Sequence, residues 1–293
     1  MSHFTVMVIG DNPEEQLAPY SESIETEPRV REDVSEEDIQ RMIDYYKNPE
    51  NGGHEYPTFD ELYENHGDDW NGGTWEKRDD KWVEVTTYNP NSKWDWYQLG
   101  GRWTGYFKLK EGADGVTGDP GLMTRTAKDG YVDAALKKDI DFEGMEEESA
   151  KEAGEAYDKV MDVIGHIEPN KPWSDFVKRL EAKEIEIDEA RSQYHAQPRI
   201  TALNTPAVRE KLGWFIEADN YLVSREEYVA KAKNSSVATF AVLKDGKWYE
   251  KGEMGWFAIV ANEKEQNDWN EEVAKLLNSL DDNTLISVYD CHI

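Results

Sequence analysis

Residues 3 to 9, HFTVMVI, form a run of β-branched and apolar side chains that Gly10-Asp11-Asn12-Pro13 ends abruptly, and nothing else in the chain constrains its fold as much. Such a run reads as a buried strand. The residues after it, Asp11 to Arg31, are polar, punctuated by proline and aperiodic, which predicts an extended surface loop. The lone strand can therefore join a sheet supplied by the far end of the chain. There, Val237 to Leu243 reads as a strand, Asp245-Gly246 as a hairpin turn, Lys247 to Glu250 as the return strand, and Gly255 to Ala261 as a further strand-like run. Asn262 with Glu265 predicts a helix start ahead of Trp269, Val273, Leu276 and Leu277, and Thr284 to Tyr289 predicts a last strand. This order implies a sheet with its helix on one face.

The expected fold class is α+β, with an antiparallel or mixed sheet built from both chain ends and an aromatic segment, plus a mainly helical insertion. The expected boundaries are one lobe from residues 1–121 and 233–293 and an insertion over 122–232; a length of 293 residues suits about two domains. Ser35 caps a predicted short helix carrying Ile39, Met42, Ile43 and Tyr46, and Thr58 with Glu61 caps a second. Lys81 to Tyr88 and Trp103 to Leu109 are strand-like. Ala153, Tyr157, Val160, Met161 and Ile164 recur at helical spacing, although Gly154 interrupts the pattern, and Pro169 and Pro172 end it; a further helix is expected from Asp175 to about His195.

Charge narrows the partners. The chain holds 62 acidic and 33 basic residues, net -29, a balance that repels nucleic acid and anionic membranes and attracts basic protein surfaces. The excess is regional: residues 1 to 70 carry 19 acids and 4 bases, whereas residues 71 to 110 carry 5 acids and 7 bases. That concentration favours an interaction surface over a solubility device, and Glu36, Glu37, Asp38, Asp68 and Asp69 are the candidate partner-binding acids. No direct nucleic-acid ligand and no membrane partner are expected. The sequence has no run of about 18 apolar residues and no leader pattern at its start, and its one cysteine, Cys291, rules out an internal disulfide framework, so a reducing cytoplasm is expected.

The stretch Asn89 to Trp103 concentrates aromatic rings around a double glycine, and Trp94, Asp95, Trp96, Gln98 and Arg102 form a candidate small-ligand site. Flat rings with a few directional polar groups suit a sugar, a nucleobase or a partner side chain. The bland alternative is that the indoles fill a core and that Gly100-Gly101 permits a tight turn. Asp114 and Asp119 lie in a glycine-rich loop without EF-hand spacing, the six histidines share no ligand spacing, and no nucleophile elbow, Walker or dinucleotide motif is present. No catalytic residue, metal site or cofactor is expected.

Two segments, SHFTVMVIGDNPEEQLAPY at residues 2–20 and NPNSKWDWYQLGGRWTGYFKLK at 89–110, resemble a family of phage-encoded proteins of uncharacterised activity, with weaker similarity at GYVDAALKKDIDF, residues 130–142. The resemblance implies a phage or prophage source and action inside the host bacterium, and it transfers no catalytic residues. Acidic, motif-poor phage proteins are often inhibitors of host defence, so by analogy of class the expected function is inhibition of a bacterial anti-phage complex, such as a DNA-sensing nuclease of the Gabija kind. The partner would be a host complex with a basic DNA-binding surface. An inhibitor that encases its target would be a homo-oligomer, although no heptad pattern specifies one. The competing expectation is a ligand-binding protein or enzyme working through the aromatic stretch.

Overall fold

The computed structural model describes residues 2–121, 126–255 and 259–293. The fold is α+β, and the chain divides into two compact units: residues 1–16 with Tyr97–His292, and Leu17–Trp96 with the terminal Ile293. The predicted helical stretch, 122–232, falls within the first of these.

His3–Ile9 is a central strand of the first unit's main sheet. It runs antiparallel to Leu285–His292, from His3 opposite His292 to Ile9 opposite Ile286, and parallel to Ala241–Lys244. Lys247–Glu250 extends the sheet on one side, while Trp96–Leu99 and Ala134–Leu136 pair with the last strand on the other. Being central explains the near-continuous apolar composition, since both faces of such a strand are covered. The Asp245-Gly246 turn takes two positive φ values, +52° and +69°, as a tight hairpin requires. Helix Gln266–Asn278 packs on the sheet through Trp269 and Val273; the fully buried Trp269 indole donates to Thr239 O at 2.7 Å.

Several expectations are corrected here. Asn262 does not cap that helix: it sits at φ +51° with its amide on Glu253, and the helix starts at Gln266. Val260–Ala261 pairs with Glu253–Met254 in a separate two-stranded ribbon; residues 256–258 of the strand expected there lie outside the described residues. Of Trp103 to Leu109 only Phe107–Lys108 is a strand, because the Gly105 and Tyr106 amides bond a side-chain carboxylate instead of a ladder partner.

The long acidic helix spans Phe142–Ile164, capped by the Asp141 carboxylate on Gly144 N. Gly154, which weakened the sequence pattern, is where Arg225 crosses: a Cβ there would lie 2.6 Å from the guanidinium that grips Asp158 at 2.8 and 3.0 Å. The single helix expected over 175–195 is two, Trp173–Glu181 and Ile187–His195, broken where Lys183 adopts φ +56°. Tyr157, Val160 and Ile164 pack with Ile200, Leu203 and Tyr221 into a second core.

Burial raises the phenol pKa of Tyr106, Tyr194 and Tyr221 above the ordinary value near 10 and pushes that of Tyr289 up to about 12. A raised folded-state pKa contributes stability that is complete below pH 10 and lost as pH climbs through the folded values. Alkaline titration is therefore expected to unfold this unit cooperatively, with tyrosinate absorbance from these rings rising in step with loss of circular dichroism. Full tyrosinate absorbance at pH values where the dichroism is still native would contradict this.

In the second unit, helices Glu36–Lys47 and Phe59–Asn71 start at the predicted caps, Ser35 on Asp38 N and Thr58 on Glu61 N. They pack on a three-stranded sheet ordered Glu25–Asp33, Lys81–Tyr88, Trp75–Arg78. The core joins Met42, Tyr46, Leu62 and Tyr63 to Trp70, Trp75 and Trp82, and Tyr63 stacks on Trp75 at 5.6 Å. The strand Glu25–Asp33 replaces part of the loop expected over Asp11 to Arg31, which also contains the short helix Pro13–Leu17. Its residues are mostly exposed and its register slips twice, so no alternation marks it in the sequence.

Candidate binding surfaces

The second unit concentrates negative charge. Its 80 residues, Leu17–Trp96, hold 21 acids and 8 bases, net -13. Arg31, Arg41, Lys47, Lys77, Arg78 and Lys81 each pair with an acid of the same unit, at distances from 2.6 to 3.9 Å. These pairs are largely exposed, so solvent screening leaves them little effect on stability. Their larger effect is to neutralise the bases locally, so that the remaining acids set the sign of the surface.

The five candidate acids are not brought together. Glu36 and Glu37 are exposed on the first turn of helix Glu36–Lys47, whose amide end favours negative charge. Asp38 is committed to that turn, accepting from Ser35 Oγ at 2.6 Å and pairing with Arg41 at 3.1 Å. Asp68 and Asp69 are exposed in the last turn of Phe59–Asn71, which contains no base. The residues that reach that end of the second helix are Tyr45 and Tyr46, whose rings lie 5.4 and 6.2 Å from Trp70; they stand at the far end of the first helix from Glu36. Carboxylates at a helix C-terminus oppose the peptide dipole, costing roughly 0.3–1 kcal/mol each. Asp68 and Asp69 thus carry charge that local stability does not call for.

The aromatic candidate is divided between the units. In the second, Trp94 is buried and its indole N–H donates to Leu17 O at 3.2 Å; Asp95 accepts from the Trp96 amide at 2.7 Å, and Trp96 is 42% exposed. Asn89 ties the same segment down by donating to Pro19 O and Ser21 O, and Lys93 N donates to Tyr20 O. In the first unit, the Gln98 amide donates to Asp119 O at 2.7 Å, and the exposed Arg102 donates its backbone N–H to Asp290 at 2.9 Å. The parts of the two sequence segments 2–20 and 89–110 that lie in the second unit are therefore joined by a backbone and side-chain hydrogen-bond network.

The double glycine has a structural cause that the sequence did not reveal. Gly100 and Gly101 adopt φ +71° and +53°, and each lies against a different buried aspartate. A Cβ on Gly100 would stand 2.3 Å from Asp133 Oδ2, and one on Gly101 would stand 2.4 Å from Asp290 Cβ. Asp133, fully buried, accepts from the amides of Gly105, Tyr106 and Gly118 and from the Thr104 hydroxyl, at 2.6–3.2 Å. Asp290 is 1% exposed and holds His3 Nδ1 at 2.8 Å. The available signal was an acid inside an apolar run, in Tyr131-Val132-Asp133-Ala134 and Val288-Tyr289-Asp290-Cys291.

The other candidates are quieter. Cys291 is a buried free thiol whose pKa burial drives up, with Asp290 adding to the rise. His66 stacks on Tyr46 at 4.1 Å and meets the Tyr56 hydroxyl at 2.8 Å. Among the described residues no cluster of three or more His, Cys, Asp or Glu side chains is placed to hold a metal, and no helix is long and apolar enough to cross a membrane. Comparison with known protein families, curated proteins and solved structures found no match to this chain.

Proposed function

We propose that the protein acts by binding: it presents the acidic surface of residues 17–96 to a basic surface of another protein, and that partner is a bacterial anti-phage defence complex whose nucleic-acid-binding face it occupies. The observation that carries this reading is the charge of that unit, net -13, with six of its bases already paired to its own acids. Complementary potentials speed encounter and make binding salt-sensitive, and aromatic or apolar contacts must hold the complex once salt screens the charges. The phage setting rests on the resemblance of residues 2–20 and 89–110 alone.

The test is an affinity pull-down of the tagged protein from bacteria carrying a panel of phage-defence operons, washed at low and then high salt. A stoichiometric defence protein that survives the high-salt wash supports the reading. Basic background that washes away with salt sinks it.

Asp68→Lys and Asp69→Lys are the informative variants once a partner is in hand. Each removes a charge that opposes the helix dipole, so unit stability should rise by about 0.3–1 kcal/mol per site while affinity falls. Reversal at Glu36 and Glu37 is less clean, because it also removes a favourable dipole contact. Denaturant unfolding and titration calorimetry on the same samples separate the two effects, and unchanged affinity would remove this helix end from the interface.

A further inference from the structure

A cleft of about 220 Å³ opens in the first unit between three helices, Phe142–Ile164, Arg225–Ser235 and Gln266–Asn278. Its floor is apolar: Val273 belongs to the core of the main sheet, and Phe142, Val237 and Leu277 pack against that core. The exposed Asn234, Ala274 and Asn278 also line it, so the cleft is open to water on that side. An engineered cavity of about 150 Å³ binds benzene, so this space suffices for a short hydrocarbon chain.

Two polar groups on the lining lack what a folded interior normally supplies. Ser236 Oγ is buried and finds no hydrogen-bond partner among the described residues. Buried hydroxyls are nearly always paired, and an unpaired one destabilises the fold. Lys137 is half-buried and donates to Leu280 O at 2.6 Å, which leaves two of its three N–H groups, and among the described residues no acid pairs with it. The other charges on the lining, Lys233 and Glu146, pair with each other at 3.4 Å, so the cleft carries one positive charge in excess. The net charge of the whole chain, -29, acts weakly here, because physiological salt screens charges more than about 8 Å away.

We infer that this cleft binds a small carboxylate with a hydrocarbon tail, of the medium-chain fatty-acid class. The tail covers Val237, Val273 and Leu277, and the carboxylate accepts from Lys137 Nζ and Ser236 Oγ. Ser236 is only half-buried as a residue, so a rotamer change brings its hydroxyl to the ligand. The head group has to accept, because an ammonium only donates, and a carboxylate has oxygens enough for both partners. An amine would meet Lys137 with like charge, and an alcohol would leave that charge unanswered. The inference stands apart from the proposed function, whose surface lies on the other unit.

The experiment is titration calorimetry of the full chain with octanoate, with octanol and octylamine as the matched neutral and cationic probes. Octanoate is expected to bind one to one and more tightly than octanol, and octylamine most weakly. Lys137→Met should weaken octanoate about tenfold or more and leave octanol unchanged. Ser236→Ala should weaken octanoate roughly threefold to tenfold without lowering the melting temperature of the ligand-free protein, because that hydroxyl bonds nothing there. Ala274→Trp, at an exposed position on the lining, should block binding by filling the cleft. Absence of saturable octanoate binding, or binding indifferent to Ala274→Trp, overturns the site. Octanol binding as tightly as octanoate, or octanoate binding indifferent to Lys137→Met, overturns the charged head group.

Discussion

Asp133→Ala is expected to destabilise the protein by about 3–5 kcal/mol, because it strips a buried carboxylate from three backbone amides and a hydroxyl that donate to it. The amides of Gly105, Tyr106 and Gly118 and the hydroxyl of Thr104 all converge on its two oxygens. Each buried donor left unpaired costs roughly 1–3 kcal/mol, and a water entering the vacated space recovers only part of it. The loss should appear in denaturant unfolding as a lower midpoint, with Asp129→Ala, at an exposed position nearby, as the control. A loss below about 1 kcal/mol would mean that these loops hold their shape without the carboxylate.

Gly101→Ala is expected to cost about 3–5 kcal/mol, against about 1–2 kcal/mol for Gly112→Ala, and the difference measures how tightly the chain closes on Asp290. Both glycines have positive φ, +53° and +75°, so both substitutions incur the left-handed penalty of an L residue. Only at Gly101 is there also a collision: the new methyl would lie 2.4 Å from Asp290 Cβ and 2.5 Å from Oδ2, whereas nothing lies within 4 Å of Gly112. Relief requires moving either the Arg102 amide off Asp290 or the aspartate off His3. Equal losses at the two sites, measured by thermal or denaturant unfolding, would show that the backbone withdraws freely.

These two aspartates also mark the limit of what could be read in advance. The aromatic stretch drew attention as a site because its residue types are those that bind flat ligands. Its double glycine answers instead to carboxylates 33 and 189 positions away in sequence, as the Gly100–Asp133 and Gly101–Asp290 approaches show. No local pattern encodes a contact of that separation. The acidic candidates were legible as a regional excess, but the distance of Asp68 and Asp69, on helix Phe59–Asn71, from Glu36 follows from how Tyr45 and Tyr46, at the far end of the first helix, meet Trp70. The exposed pair Trp214 and Phe215 was invisible for the opposite reason: in sequence an exposed aromatic looks like a buried one, and only burial distinguishes them.

What the sequence determined by itself was local and periodic. It set the strand His3–Ile9, the caps at Ser35 and Thr58, the turn at Asp245-Gly246, the long helix through Tyr157 and Ile164, and an α+β sheet joining both chain ends. Each follows from apolar spacing, capping oxygens or φ preference within a few residues. Tertiary structure decided the rest. It made an edge strand of the polar segment Glu25–Asp33 by giving it Lys81–Tyr88 as a partner, and it drew the Gly105 and Tyr106 amides away from a ladder and onto Asp133. It also chose which aromatics to bury. The physical reason is common to all three: a backbone amide or an aromatic ring takes the best partner available in space, and the sequence near it does not say which partner that will be.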